Sequence, residues 1–111
     1  MTIYIPKRGD AVWLDFNPQA GREQAGRRPA FVVSPSSYNR KVGLALLCPI
    51  TSRVKGYPFE VPIPEGFGLD GVILSDQLKS LDWRTRRAEF IRELPDAVIQ
   101  EVLKRIRALI G

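Results

Sequence analysis

The feature that most restricts what this chain can become is Leu44-Ala45-Leu46-Leu47-Cys48-Pro49-Ile50, an unbroken apolar run that leads straight into Thr51-Ser52. A run of this kind reads as a strand buried on both faces. It is far short of the roughly 20 residues that cross a bilayer, so the rest of the chain must supply its cover. Gly9 to Phe16 alternates as a first strand, and Asn17-Pro18 with Gly21 ends it in a turn. Arg28 to Ser34 forms a second strand, with Pro29 placed where a strand can begin without donating to the ladder. Between them lies a long polar, basic loop, residues 17 to 28, of the sort that often carries function on a compact barrel. Phe59 to Ile63, Gly71 to Leu74 and Ala88 to Ile91 add short strands. Leu94-Pro95-Asp96 then opens a helix, with Pro95 suited to its first turn and Asp96 near the positive end of the dipole. On that helix Val98, Val102, Leu103, Ile106, Leu109 and Ile110 fall on one face, which is expected to pack on the strands. The expected fold is mainly β with a C-terminal helix, a small barrel in one domain over residues 1–111.

With 44% hydrophobic and 26% charged residues, the 111-residue chain has the balance of a globular domain. Met1 to Arg8 lacks the apolar core and small-residue cleavage site of a secretory signal, so a cytoplasmic protein with no membrane association is expected. Cys48 is the only cysteine, which excludes an intrachain disulfide and a cysteine-rich metal site. With no His to activate its thiol, Cys48 reads as a small buried hydrophobe.

Charge is unevenly placed. Arg22, Arg27, Arg28, Arg40, Lys41, Arg53 and Lys55 stand against Glu23 alone in one segment, while the remainder carries ten cations and eleven carboxylates. All of the net +5 therefore sits between Arg22 and Lys55. A basic face of this kind suits a polyanion, through counterion release at each phosphate contact, and equally suits a solvated surface rich in Arg.

The absence of His removes the Ser-His-Asp triad, the His pair of acid–base RNA cleavage and any His-rich metal site. The twelve carboxylates are scattered rather than clustered as a two-metal nuclease requires, so no metal or other cofactor is expected. What remains for phosphodiester chemistry is arginine, whose planar fork matches phosphate oxygens as a fixed charge, together with hydroxyls and a carboxylate base. RNA brings its own nucleophile in the 2′-hydroxyl. Such a chain could cleave RNA and would struggle with DNA.

Over nearly its whole length the sequence resembles the MazF/PemK family of toxins. The likeness rests on Gly9-Asp10 with Val12-Trp13-Leu14, on Glu23-Gln24-Ala25-Gly26-Arg27-Arg28-Pro29-Ala30, and on Val33-Ser34-Pro35 with Tyr38-Asn39. It continues through Pro49-Ile50-Thr51-Ser52, Lys55-Gly56-Tyr57-Pro58-Phe59-Glu60-Val61 and Asp76-Gln77-Leu78-Lys79-Ser80-Leu81-Asp82-Trp83-Arg84. Each piece is weak alone; in this order they are specific. The resemblance implies an SH3-like barrel of the PemK/MazF/CcdB type. It also implies a type II toxin that cleaves single-stranded RNA in a sequence-specific way without metal, as a homodimer neutralised by an acidic, MazE-like antitoxin.

Carried over by position, Arg28 and Thr51 match the family's principal catalytic pair, and Glu23 matches a loop carboxylate at its site. On the residues alone, Arg28 equally suits a strand-edge ion pair, Thr51 a strand-end hydroxyl capping a turn, and Glu23 a solvated loop. RNA contacts are expected from Arg22, Arg27, Asn39, Arg53, Lys55, Gln77 and Lys79, with Phe16 as a stacking platform for an unpaired base. Trp13 and Trp83 read as core or interface. The sequence departs from the Kid branch of the family: it keeps the acid as Asp76, but has Leu74 where that branch has Arg and Arg22 where it has His, so Asp76 is expected to be structural or an RNA contact. Two alternatives are a CcdB-like toxin that binds gyrase without cutting RNA and a barrel that binds RNA without cleaving it.

Overall fold

The computed structural model describes residues 3–16 and 26–111. In order, its elements are β1 (Asp10–Asp15), β2 (Arg27–Val32), α1 (Ser36–Val42), β3 (Ala45–Thr51), β4 (Glu60–Pro62), β5 (Val72–Leu74), β6 (Lys79–Leu81), β7 (Glu89–Glu93) and α2 (Asp96–Ile110). Every strand pair is antiparallel, along the path β4-β5-β3-β2-β1-β7, with β6 branching from β3. The barrel is open between β4 and β7. This is the mainly β, helix-terminated architecture that the apolar runs imply.

Side chains alternate across a strand, and the sheet sorts its apolar residues into two cores. Val12, Leu14, Ala30, Val32, Ala45 and Leu47 pack with Phe16 and Trp83 on one face. Ala11, Phe31, Cys48, Ile50 and Ile73 pack on the other, where Val98, Val102 and Ile106 of α2 cover them. β3 feeds both cores, as its unbroken apolar run requires. At the end of α2 the expected apolar face gives out: Leu109 and Ile110 are exposed. Pro95 stands at the N-cap in an extended conformation rather than inside the first turn. No helix among the described residues is long and apolar enough to cross a membrane.

Two elements were not expected. α1 buries only Asn39, so it shows no apolar stripe, and it closes on Gly43 in the left-handed region, whose N–H bonds to Asn39. β6 is three residues long and bonds to β3 beside the stretch that β5 occupies.

Candidate active site

Strands β2 and β3 run antiparallel with Val32 opposite Leu47, Phe31 opposite Cys48 and Ala30 opposite Pro49. Arg28 lies two residues before Ala30 and Thr51 two residues after Pro49, each inside its strand, while Thr51 itself pairs with Val72 of β5. By alternation both belong to the face that bears Ala30 and Leu47, at the rim of the core holding Phe16 and Trp83. Arg28 is half-buried and lies opposite Leu14 on β1.

β3 changes partners along its length, pairing with β6 at Ala45, Leu46 and Leu47 and with β5 at Ile50 and Thr51. The chain between those partners, Ser75 to Leu78, therefore passes close to the end of β3. Lys79 stands opposite Leu47, on the face shared by Arg28 and Thr51. Gln77 is half-buried, with its N–H bonded to the Leu74 carbonyl and its Oε1 buried without a hydrogen-bond partner among the described residues. A buried acceptor in that state is costly unless something donates to it.

Thr51 is 7% exposed, and its Oγ1 accepts the Arg53 N–H at 3.1 Å, which leaves the hydroxyl proton able to donate. The backbone around it is crowded: Gly71, at φ +112°, approaches so closely that a β-carbon there would fall 2.0 Å from the Thr51 carbonyl oxygen. Beyond Thr51 the exposed residues Arg53, Lys55 and Tyr57 follow, with the Lys55 ammonium 6.0 Å from the Tyr57 ring centroid. The buried Glu60 carboxylate holds this loop by accepting the N–H of Lys55 at 3.1 Å and of Gly56 at 2.8 Å.

Two expected RNA contacts, Phe16 and Asn39, are buried, and a third, Arg27, is engaged in ion pairs. Phe16 is 3% exposed and is part of the core, so it offers no face on which a base could stack. Asn39 is fully buried and fully used: its Nδ2 donates to the carbonyls of Pro6 at 2.8 Å and Ser34 at 3.0 Å, and its Oδ1 accepts from Ser34 Oγ at 2.5 Å. Its own carbonyl accepts the Trp83 indole N–H at 2.9 Å, so Asn39 joins α1 to the turn after β6. Arg27, next to Arg28 on the strand, points to the opposite face and is engaged by Asp15, Glu89 and the Arg87 carbonyl. Glu23 and Arg22 lie outside the described residues.

Elsewhere the expectations divide. Trp83 is core, whereas Trp13 is partly exposed on β1. Burial pushes the Cys48 thiol up to about 12, with the nearby Asp76 carboxylate adding to the shift, so it is no nucleophile at neutral pH. Asp76 itself is exposed in the turn after β5. Glu60 and Gly71 are site-shaping residues that sequence reasoning missed. The alternation of Phe59 to Ile63 gave no sign that Glu60 faces inward, and Gly71 stood only at the head of an apolar run.

Arg28 on β2, Thr51 on β3 and Lys79 on β6 are residue types able to bind a phosphodiester, carried on strands that neighbour one another. From residue 7 to residue 110 the chain matches the family of PemK-like, MazF-like toxins of type II toxin-antitoxin systems. It is 47% identical over 108 residues to the endoribonuclease toxin MazF of Escherichia coli K12, covering 97% of this chain and 96% of that protein. The crystal structure of MazF (Form-I) from Deinococcus radiodurans superposes with a TM-score of 0.95 at 54% identity, covering 98% of this chain and 99% of that one. A chain of the MazE-MazF (Form-II) structure from the same organism superposes with a TM-score of 0.90 at 54% identity, covering 98% of each.

Proposed function

The chain belongs to the PemK-like, MazF-like toxin family of type II toxin-antitoxin systems, and we propose on that premise that it is an endoribonuclease whose Arg28 and Thr51 act on the scissile phosphate of single-stranded RNA. What supports this reading is the antiparallel pairing of β2 with β3 at Ala30–Pro49, two residues from Arg28 on one strand and two from Thr51 on the other.

The 2′-hydroxyl of the nucleotide before the cut attacks phosphorus in line and expels the 5′-oxygen, which takes a proton from solvent water. Negative charge builds on the non-bridging oxygens, where the Arg28 fork holds two of them and the Thr51 hydroxyl donates to one. Glu23 is assigned the role of accepting the 2′-hydroxyl proton. The products are a 2′,3′-cyclic phosphate and a 5′-hydroxyl. Neither imidazole nor a clustered set of carboxylates is needed, which fits a sequence without His. Arg53, Lys55 and Lys79 supply phosphate contacts, and the unpartnered Gln77 oxygen takes a base donor.

MazF of D. radiodurans has been solved as MazE-MazF, and a MazE-like acidic antitoxin is the partner we assign here, competing with RNA for the basic segment. The toxin works as a homodimer in the cytoplasm, where its RNA substrate is. Arg28→Ala and Thr51→Ala should each slow cleavage by roughly 10²–10³-fold, with circular dichroism and dimer mass unchanged. A folded Arg28→Ala protein with near wild-type activity would remove Arg28 from the mechanism.

A further inference from the structure

Near the end of the β1–β2 ladder the Asp15 carboxylate gathers two arginines. Asp15, last in β1, faces Arg27, first in β2. Its Oδ1 accepts from Arg27 at 3.0 Å and its Oδ2 from Arg87 Nε at 2.9 Å, while a second Arg87 nitrogen reaches Oδ1 at 3.3 Å. Arg27 in turn donates to the Arg87 carbonyl at 2.8 Å, which closes the ring. The Asp15 main chain is fixed as well, its N–H bonded to the Arg86 carbonyl at 3.0 Å and its carbonyl to the Arg86 guanidinium at 3.1 Å. Arg87 is the one non-glycine residue at positive φ among those described, at +54°. That conformation is costly for a long side chain, and it is what lets Arg87 reach Asp15 from a turn already folded on the Asp82 carboxylate.

We infer that Asp15 is a positioning residue for Arg28, acting through Arg27 and Arg87 to fix the start of β2. The inference rests on the reading that Arg28 acts at the phosphate. Arg28 is the next residue after Arg27, and Pro29 after it brings no N–H to the ladder on either side. Beyond Arg27 the main chain is tied to the end of β1 by the Phe16 N–H on the Gly26 carbonyl at 2.8 Å, and the side chains around Asp15 add to that hold. Without the Asp15 carboxylate, Arg27 keeps only Glu89 and the Arg87 carbonyl, Arg87 loses the carboxylate it donates to, and the start of β2 beside Arg28 is held less firmly. Isolated exposed ion pairs contribute little, but here two guanidinia on the carboxylate and two bonds to the main chain converge on one residue. A guanidinium displaced by about 1 Å from its phosphate is enough to cost up to 10²-fold in rate.

A double-mutant cycle tests this, with single-turnover cleavage and RNA affinity measured for the wild type, Asp15→Ala, Arg28→Ala and the double variant. Asp15→Ala should lower the cleavage rate by about tenfold with little change in affinity, and should cost nothing further once Arg28 is gone. Asp15→Asn, which keeps the shape and loses the charge, should move the rate the same way if the alanine variant does not fold. A loss at Asp15 that multiplies fully in the Arg28→Ala background, or an Asp15 variant that is folded and cleaves at the wild-type rate, overturns the inference while leaving Arg28 in the mechanism. A fully active Arg28→Ala protein instead overturns the reading beneath it.

Discussion

Gly71 and Thr51 meet so closely that no other residue type fits at position 71: a β-carbon there would lie 2.0 Å from the Thr51 carbonyl oxygen and 2.8 Å from Ser52 Cα. The neighbouring atoms are backbone, which cannot swing aside. Gly71→Ala should therefore displace the end of β3 together with the Thr51 hydroxyl, destabilising the fold by on the order of 1–3 kcal/mol and slowing cleavage by about 10²-fold. Urea unfolding and single-turnover cleavage of the variant check both effects; a wild-type midpoint and rate would mean that the two strands can separate at no cost.

Glu60 makes a separable prediction about binding. Its buried carboxylate is the acceptor for two consecutive backbone N–H groups, those of Lys55 and Gly56, so it shapes the loop that presents Arg53 and Lys55. In Glu60→Ala those donors lose their partner, at a cost of about 1–3 kcal/mol. RNA affinity should fall by about tenfold, while the cleavage rate at saturating RNA changes little. Fluorescence anisotropy with a non-cleavable strand measures the first quantity and single-turnover cleavage the second; unaltered affinity would show that the loop needs no anchor.

The acid side of the stability curve follows from two carboxylates. The Arg87 and Arg27 guanidinia hold the Asp15 carboxyl below the usual carboxylate range, and the N–H groups of Thr85 and Arg84 do the same for Asp82. Because these pKa values are lower folded than unfolded, the unfolded chain binds more protons, and the stabilisation is present above about pH 4 and lost as pH falls further. Urea midpoints should stay level from neutral pH to about pH 5 and drop below about pH 4, with a shallower drop in Asp15→Asn. An equally steep acid limb in that variant would show that Asp15 is not among the groups responsible.

Much of this architecture was legible in the sequence because burial leaves a pattern. β3 announced itself as an unbroken apolar run, β1 and β4 as alternations, and α2 by its spaced Val98, Val102 and Ile106. α1 and β6 left none, since the first buries a single Asn and the second is only three residues long. The site was legible in part for the same reason. Arg28 and Thr51 were singled out through a family resemblance, and nothing in their local pattern told that they stand on strands paired with each other. Phe16 and Asn39 show the converse, for residue type suggested stacking and base contact. What decides is surroundings: Phe16 is walled into the core, and Asn39 spends its side-chain amide on Pro6 and Ser34.

The central claim is that the substrate's own 2′-hydroxyl attacks the phosphate held by Arg28 and Thr51. Its most direct test is the cleavage of an RNA oligonucleotide that contains a mapped cut site, with 2′-deoxyribose replacing the single ribose 5′ to the cut, assayed in excess EDTA. The unsubstituted strand should be cut in EDTA to a 2′,3′-cyclic phosphate and a 5′-hydroxyl, and the substituted strand should bind with similar affinity and stay intact. Cleavage of the deoxy-substituted strand, or activity that disappears with EDTA and returns with magnesium, would mean that water is the nucleophile and would contradict the mechanism.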